Sequence, residues 1–302
     1  MLTSLIHLQS TNETAADDIF TSSLGLLFTD DIRNAHGNPG EVIIYRSRKY
    51  GDLEFRTADP NKEEERTKFA HYLWNAGVLI GELVGGHPDD LGPGVSHDWE
   101  RIEGPDCWWI SRENEQLWSV KGEKVLELGA GVGLASIVSV KSGAEEVAIT
   151  DYPSATLLKT LKQNVEKNLS SDAITRVSIE GHQWGDCSTP FATSHAGYFT
   201  RILAADCLWM PQEHTNLARS MLHFLSSEKH ARILIVSGFH TGRIKLAPFF
   251  EETVGKVGLE IEELWEMDAN GQRRPWQRGE KETEDIGERK KWLVLARLCR
   301  KQ

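Results

Sequence analysis

The sequence predicts an α/β fold: a mostly parallel sheet of seven strands whose last strand runs in reverse, preceded by an N-terminal extension. Three observations predict it. Short apolar runs alternate with helical patterns through the middle of the chain, as parallel β/α packing requires. One of those runs, KVLELGAGVGL from Lys124 to Leu134, closes on glycines at 129, 131 and 133. The last two runs flank a polar segment with no evident helix, so they must pair antiparallel.

Residues 1–65 differ in texture from the rest of the chain. A polar, acidic start (Asn12 to Asp18) leads to the apolar cluster SSLGLLF, Ser22 to Phe28, and then to EVIIYRS and DLEFRT, which have the pattern of two short strands. We expect an N-terminal extension, partly flexible, whose apolar pieces dock on a main domain spanning 66–302. It would act there as a lid over the substrate entrance or as additional packing. From Pro60 to Gly85 an acidic first turn and apolar residues at mixed helical spacing predict a helix, ended by Gly85, Gly86 and Pro88. Residues 85–118 are rich in Gly, Pro and Asp yet carry Trp99, Trp108, Trp109 and Trp118. That stretch is too long for an ordinary connection, and it reads as an insertion anchored by its tryptophans.

Past the glycines, Leu134 to Ser142 forms a helix and VAITD, ending at Asp151, a second strand. A helix opened by Pro153 comes next. Arg176 to Glu180, RILAAD ending at Asp206, and RILIVSG ending at Gly238 are further strands. Phe239 and His240 stand just beyond the last of these. A helix over Pro248 to Val257 precedes GLEIEELWEM and KWLVLARL, the sixth and seventh strands. Between these two, Arg273, Arg274, Trp276 and Arg278 are read as partner contacts or as solvated charge.

The glycine turn lets a ligand lie directly against the backbone, ahead of the free N–H groups of a helix start. A dinucleotide fingerprint would place Gly or Ala where this chain has Leu134, so the pyrophosphate spacing fails. Glu127 lies two residues before the first glycine, in a strand that is otherwise apolar. A buried acid there would repel a pyrophosphate and attract an ammonium or sulfonium group. Asp151, twenty-two residues after Gly129, is placed to meet the two hydroxyls of a ribose.

The 302 residues carry a net charge of −11. This argues against a general nucleic-acid binder, which would need a basic face, and is compatible with a basic protein substrate. No apolar run approaches the ~18 residues of a membrane helix, and no signal peptide is evident, so the expected location is cytoplasmic. The four cysteines, Cys107, Cys187, Cys207 and Cys299, lack metal-ligand spacing and read as small buried hydrophobes. No metal is expected.

Gly129–Gly133, Glu127 and Asp151 together resemble the S-adenosylmethionine (AdoMet) site of the Rossmann-like, seven-stranded class I AdoMet-dependent methyltransferases. LGLLF, HYLWNAG, VLELGAGVGL, AITDYP, QWGD and ADCLW, in this order, resemble the nicotinamide N-methyltransferase-like fungal branch of those enzymes. The resemblance implies AdoMet as cofactor. It assigns backbone amides at Gly129, Ala130 and Gly131 to the ligand, Asp151 to the ribose with Tyr152 nearby, and Trp184 to the adenine face. Glu127, Trp74 and Ala205 take the methionine side. DCLW, residues 206–209, resembles the D-x-x-Y motif of lysine-directed members, with Trp209 in place of tyrosine. Asp206 and Trp209 are thus the catalytic candidates, and the alternative for Trp209 is packing on the next helix. The resemblance further implies a protein substrate, translation elongation factor 1-alpha, methylated on its N-terminal glycine and adjacent lysine. A small pyridine substrate and a non-catalytic AdoMet-binding module are the other readings. His240 is a second candidate for proton handling or a structural residue.

Overall fold

A computed structural model describes residues 2–8, 34–59, 72–88, 108–278 and 286–302. The acidic start, the SSLGLLF cluster, residues 60–71, Trp99 and Cys107 lie outside the described residues. Ahead of the glycine turn come β1 (Ile6–Leu8), β2 (Ala35–His36), β3 (Val42–Ser47), β4 (Gly51–Arg56) and β5 (Leu73–Trp74). Strands β1, β3 and β4 form one antiparallel sheet, and β2 pairs with β5. Leu53 and Phe55 alternate with polar neighbours along β4, and both are buried with Ile43 and Tyr45 of β3.

The helix predicted over Pro60 to Gly85 is corrected within its described part. Leu73 and Trp74 are extended, and helix α1 begins at Asn75 and runs to Gly85. The physical reason is tertiary: Trp74 pairs with Ala35 and Leu73 with His36, residues some forty positions away that no local pattern reveals. Helix α1 is buried along nearly its whole length. Helix α2 (Arg112–Trp118) follows Trp108 and Trp109; all three tryptophans are buried, and Ser111 caps the helix by accepting from the Asn114 amide.

The main sheet comprises β6 (Lys124–Leu128), β7 (Glu146–Asp151), β8 (Val177–Gly181), β9 (Arg201–Ala205), β10 (Arg232–Gly238), β11 (Leu259–Asp268), β12 (Arg273–Pro275) and β13 (Trp292–Arg300). Their order is β12-β11-β13-β10-β9-β6-β7-β8. Strand β13 lies between β11 and β10 and runs antiparallel to both, as expected from the missing crossover helix. The sheet nevertheless has eight strands, because β12 pairs with Trp265–Met267 inside the segment predicted to be irregular. A six-residue helix, Ile286–Lys291, also occurs there. Both are too short and too polar to leave a periodic signal.

Arg273 and Arg274 are not solvated charges. The Arg274 guanidinium stacks 3.7 Å from the Trp292 ring centroid and donates to Glu266 at 2.7 Å, while Arg273 covers Trp265. Glu266, fully buried, also binds Arg243 through both of its oxygens.

Helices α3 (Leu134–Lys141), α4 (Ala155–Asn168) and α5 (His214–Phe224) pack on the sheet, and a helical run covers 243–257. Pro153 does not open α4. A tight turn from the Ser154 amide to the Tyr152 carbonyl, 2.7 Å, intervenes before the helix starts at Ala155. The strands' period of two divides the core in two. Val125, Val147, Ile149 and Leu203 face α1 and α3, and Leu126, Ala148, Ile202 and Ala204 face α5 and the 243–257 run. Glu127 shares the parity of Val125, so it lies on the α1/α3 face. Among the described residues, no helix is long and apolar enough to cross a membrane.

Candidate active site

Parallel strands present their carboxyl ends on one edge, so Leu128, Asp151, Gly181, Ala205 and Gly238 meet there. The turn after β6 has φ of 69°, 56° and 79° at Gly129, Gly131 and Gly133, a region open chiefly to glycine. Space decides the matter at Gly129, where an added Cβ would sit 2.8 Å from Cys207 Sγ and 3.2 Å from the Trp184 ring.

Two of the three amides expected to face the ligand are used within the protein. The Gly131 N–H donates to Asp151 Oδ2 at 2.7 Å, and the Ala130 N–H to the Thr150 carbonyl at 3.0 Å. The turn therefore offers a ligand its bare backbone surface, while those two donors brace it against β7. Asp151 Oδ1 accepts from the Tyr152 amide at 2.6 Å. A carboxylate has about four acceptor positions, so two N–H donors leave room for a pair of hydroxyls. Burial pushes the Asp151 carboxyl up to about 6, against the two amides that pull it down.

Glu127 is 2% exposed and accepts from both the amide and the hydroxyl of Ser136. Burial raises its carboxyl to about 7, opposed by those two bonds, and Asp151 nearby raises it further. Among the described residues no cationic side chain pairs with it. A ligand ammonium or sulfonium would supply the missing counter-charge, and a phosphate would not.

Trp74, Gly129, Gly131, Asp151, Tyr152, Trp184, Ala205, Asp206 and Trp209 all line one cleft open to solvent. Glu127 and Ala130 line a smaller adjoining recess that shares Trp74, Gly129, Gly131 and Ala205 with it. The structure thus brings every predicted site residue to one place. Tyr152 is the most exposed, at 38%. Sequence reasoning did not single out Tyr72, His182, Gln183, Met210 or Glu213, which also line the cleft. Tyr72 and Gln183 lie within the quoted motifs HYLW and QWG, a signal that was available; Met210 and Glu213 carry none.

Just past the end of β9, Asp206 has φ 56°, the one positive value of a non-glycine residue among those described. Its Oδ1 accepts from the Gly238 amide at 2.9 Å, and its Oδ2 lies 2.7 Å from His240 Nε2. The His240 ring packs on Trp74 with centroids 4.4 Å apart. Burial works against protonating His240, but the charge and hydrogen bond of Asp206 outweigh it, and the imidazole is held above its ordinary value; Arg289 opposes this weakly. Cys207 behaves as the sequence suggests. It is buried, and its thiol, raised by burial, donates to the Leu128 carbonyl at 3.1 Å.

A mostly parallel sheet with a reversed strand, a glycine turn without the dinucleotide spacing and acids at or next to the ends of the neighbouring strands β9, β6 and β7 define a class I AdoMet-dependent methyltransferase. Comparison with known proteins places it more narrowly. The chain belongs to the lysine methyltransferase family, whose model matches residues 60–252. It is 28% identical to protein N-terminal and lysine N-methyltransferase efm7 of Schizosaccharomyces pombe, over 71% of this chain and 77% of that one. It is 27% identical to the protein of the same name from Yarrowia lipolytica, over 66% of this chain and 68% of the relative. Among solved structures the fold is similar to that of SMU.776 in complex with SAH. The TM-score is 0.51 and the identity 12%, over 87% of this chain and 57% of that one.

Proposed function

We propose that this protein methyltransferase acts in the cytoplasm on translation elongation factor 1-alpha, on the N-terminal α-amine and the adjacent lysine. The observation that carries this is the end of β9, beside the glycine turn. A carboxylate, Asp206, is fixed by three partners beside aromatic faces at Trp74 and Trp209, a surroundings suited to an amine that enters as a cation. The choice of amine is supported by the names of the relatives, and the choice of protein by the order of the motifs.

Within this reading, Asp151 holds the ribose, Trp184 and Tyr152 border the nucleoside, and Glu127 takes the ammonium of the methionine portion near Trp74 and Ala205. AdoMet, when bound, supplies a methyl on a sulfonium, transferred by in-line displacement. The protein's main task is alignment, and holding the amine about 3 to 3.5 Å from the methyl lowers the barrier by several kcal/mol. Asp206 orients the amine, and the Asp206–His240 pair takes up its proton. An α-amine with a pKa near 8 is about a tenth neutral at pH 7, whereas a lysine near 10.4 is neutral in about one molecule in a few thousand. The chain N-terminus is therefore the easier acceptor.

Incubation with methyl-labelled AdoMet and purified elongation factor 1-alpha tests the proposal. Label on the factor's N-terminal peptide is expected. Label on nicotinamide alone overturns it, and AdoMet binding without transfer to any acceptor favours a binding module.

A further inference from the structure

Among the described residues, one side chain hydrogen-bonds both to the N-terminal sheet and to the glycine turn. Asn164 of α4 is 2% exposed. Its Oδ1 accepts from the Arg56 amide at 2.8 Å, and its Nδ2 donates both to the Arg56 carbonyl at 2.9 Å and to the Val132 carbonyl at 3.0 Å. Arg56 ends the edge strand β4, and Val132 stands inside the turn 129–133. The side chain thus pairs with β4 as a neighbouring strand would, and passes the connection on to the cofactor loop.

Val132 needs that donor. It stands just before the capping residue Gly133, whose own carbonyl accepts the first helical bond from the Ile137 amide at 3.0 Å, so the Val132 carbonyl lies outside the helical ladder, and the Ser136 amide goes to Glu127 at 3.0 Å. A buried carbonyl without a donor is costly, and Asn164 supplies one. One turn later, Asn168 makes the same two bonds to Glu54, at 3.0 and 2.7 Å, and a third to the Asn164 carbonyl at 2.8 Å. None of its hydrogen bonds goes to the turn. The N-terminal region touches the cleft a second time through Ala35 and His36, whose pairing with β5 holds Trp74 extended, with His36 Nε2 2.7 Å from Asn75 Oδ1.

We propose that Asn164 is a positioning residue for AdoMet, through which docking of the N-terminal sheet sets the shape of the glycine turn. The strands between residues 34 and 56 are then part of what shapes the cofactor site. The proposal rests on the turn 129–133 being the AdoMet site, so the test includes D151A, which probes that assignment while leaving Asn164 and β4 untouched.

S-adenosylhomocysteine binding is measured by calorimetry on the full chain and on N164D, N168D and D151A, with thermal unfolding alongside. Asp at 164 keeps the acceptor for the Arg56 amide and loses both donated bonds. N164D is expected to weaken binding fivefold or more. N168D, which damages the same dock without touching the turn, should lower the unfolding temperature and stay within twofold in affinity. Wild-type affinity in N164D overturns the proposal, as does an equal loss in N168D, which would make the effect one of general stability. If D151A weakens binding while N164D does not, the coupling alone fails; if D151A has no effect, the site assignment fails and the coupling with it. Should N164D not fold, amide exchange of the unaltered protein decides. Saturating S-adenosylhomocysteine should slow exchange at Arg56 together with the turn, because coupling between sites is reciprocal, and unchanged exchange at Arg56 overturns the proposal.

Discussion

Asp206 and His240 meet at 2.7 Å across the ends of two neighbouring strands, and the aspartate makes that contact from a left-handed backbone with φ 56°. A non-glycine residue in that region costs about 1 to 3 kcal/mol. The fold tolerates it where Gly238 and Ser237 also bind the carboxylate.

Replacing Asp206 by Asn, which keeps the shape, should lower kcat tenfold or more, about 1.4 kcal/mol in barrier. AdoMet affinity should stay within twofold, since the carboxylate of Asp206 is engaged by Ser237, Gly238 and His240 and not by the glycine turn. His240 provides a second readout. Its raised folded pKa means that the pair's contribution to stability is present below the ordinary histidine value and is lost as pH rises through the folded one. The difference in unfolding temperature between wild type and D206N should therefore be larger at pH 6 than at pH 9. A pH-independent difference removes the ion pair from the account.

Asp151→Ala should weaken AdoMet binding by tenfold or more, on the order of 1.4 kcal/mol. Calorimetry checks this, and unchanged affinity would remove the ribose role.

Trp209→Ala should spare cofactor binding and lower turnover on the protein substrate by about tenfold, the loss of roughly 1 to 2 kcal/mol of cation–aromatic contact. Trp209→Tyr should recover most of that. Equal losses in cofactor affinity and turnover would place Trp209 on the cofactor side of the cleft.

Glu127 supplies the pH dependence of cofactor binding. Burial holds its carboxyl near about 7, so ligand-free protein at pH 6 carries it largely protonated. A cationic ligand favours the ionised form. Binding of AdoMet at pH 6 should therefore release a proton, and its Kd should fall as pH rises from 6 to 8. Calorimetry in buffers of different ionisation enthalpy reads the proton directly. For stability the sign is opposite. The ligand-free fold gains from this residue below the ordinary glutamate value and loses that gain as pH rises through about 7. Glu127→Gln should flatten both trends, and a Kd that varies with pH as much in E127Q as in wild type excludes Glu127 as the titrating group.

Local chemistry, and the order in which it comes along the chain, was legible without coordinates. Apolar strand runs, the glycines at 129, 131 and 133, and acids at 127, 151 and 206 mark the strands and their ends. Parallel packing then forces those ends onto one edge, which is why the cleft could be read from the residues. Folding in three dimensions settled the matters in which a residue's partner lies far along the chain. Trp74 is extended because Ala35 pairs with it, β12 is a strand because Glu266 and Trp292 hold Arg274, and the amides of Ala130 and Gly131 are taken by Thr150 and Asp151. Asn164 is the fullest case: a polar residue on an amphipathic helix has no periodic signature, and its role exists only once β4 and the glycine turn both reach it.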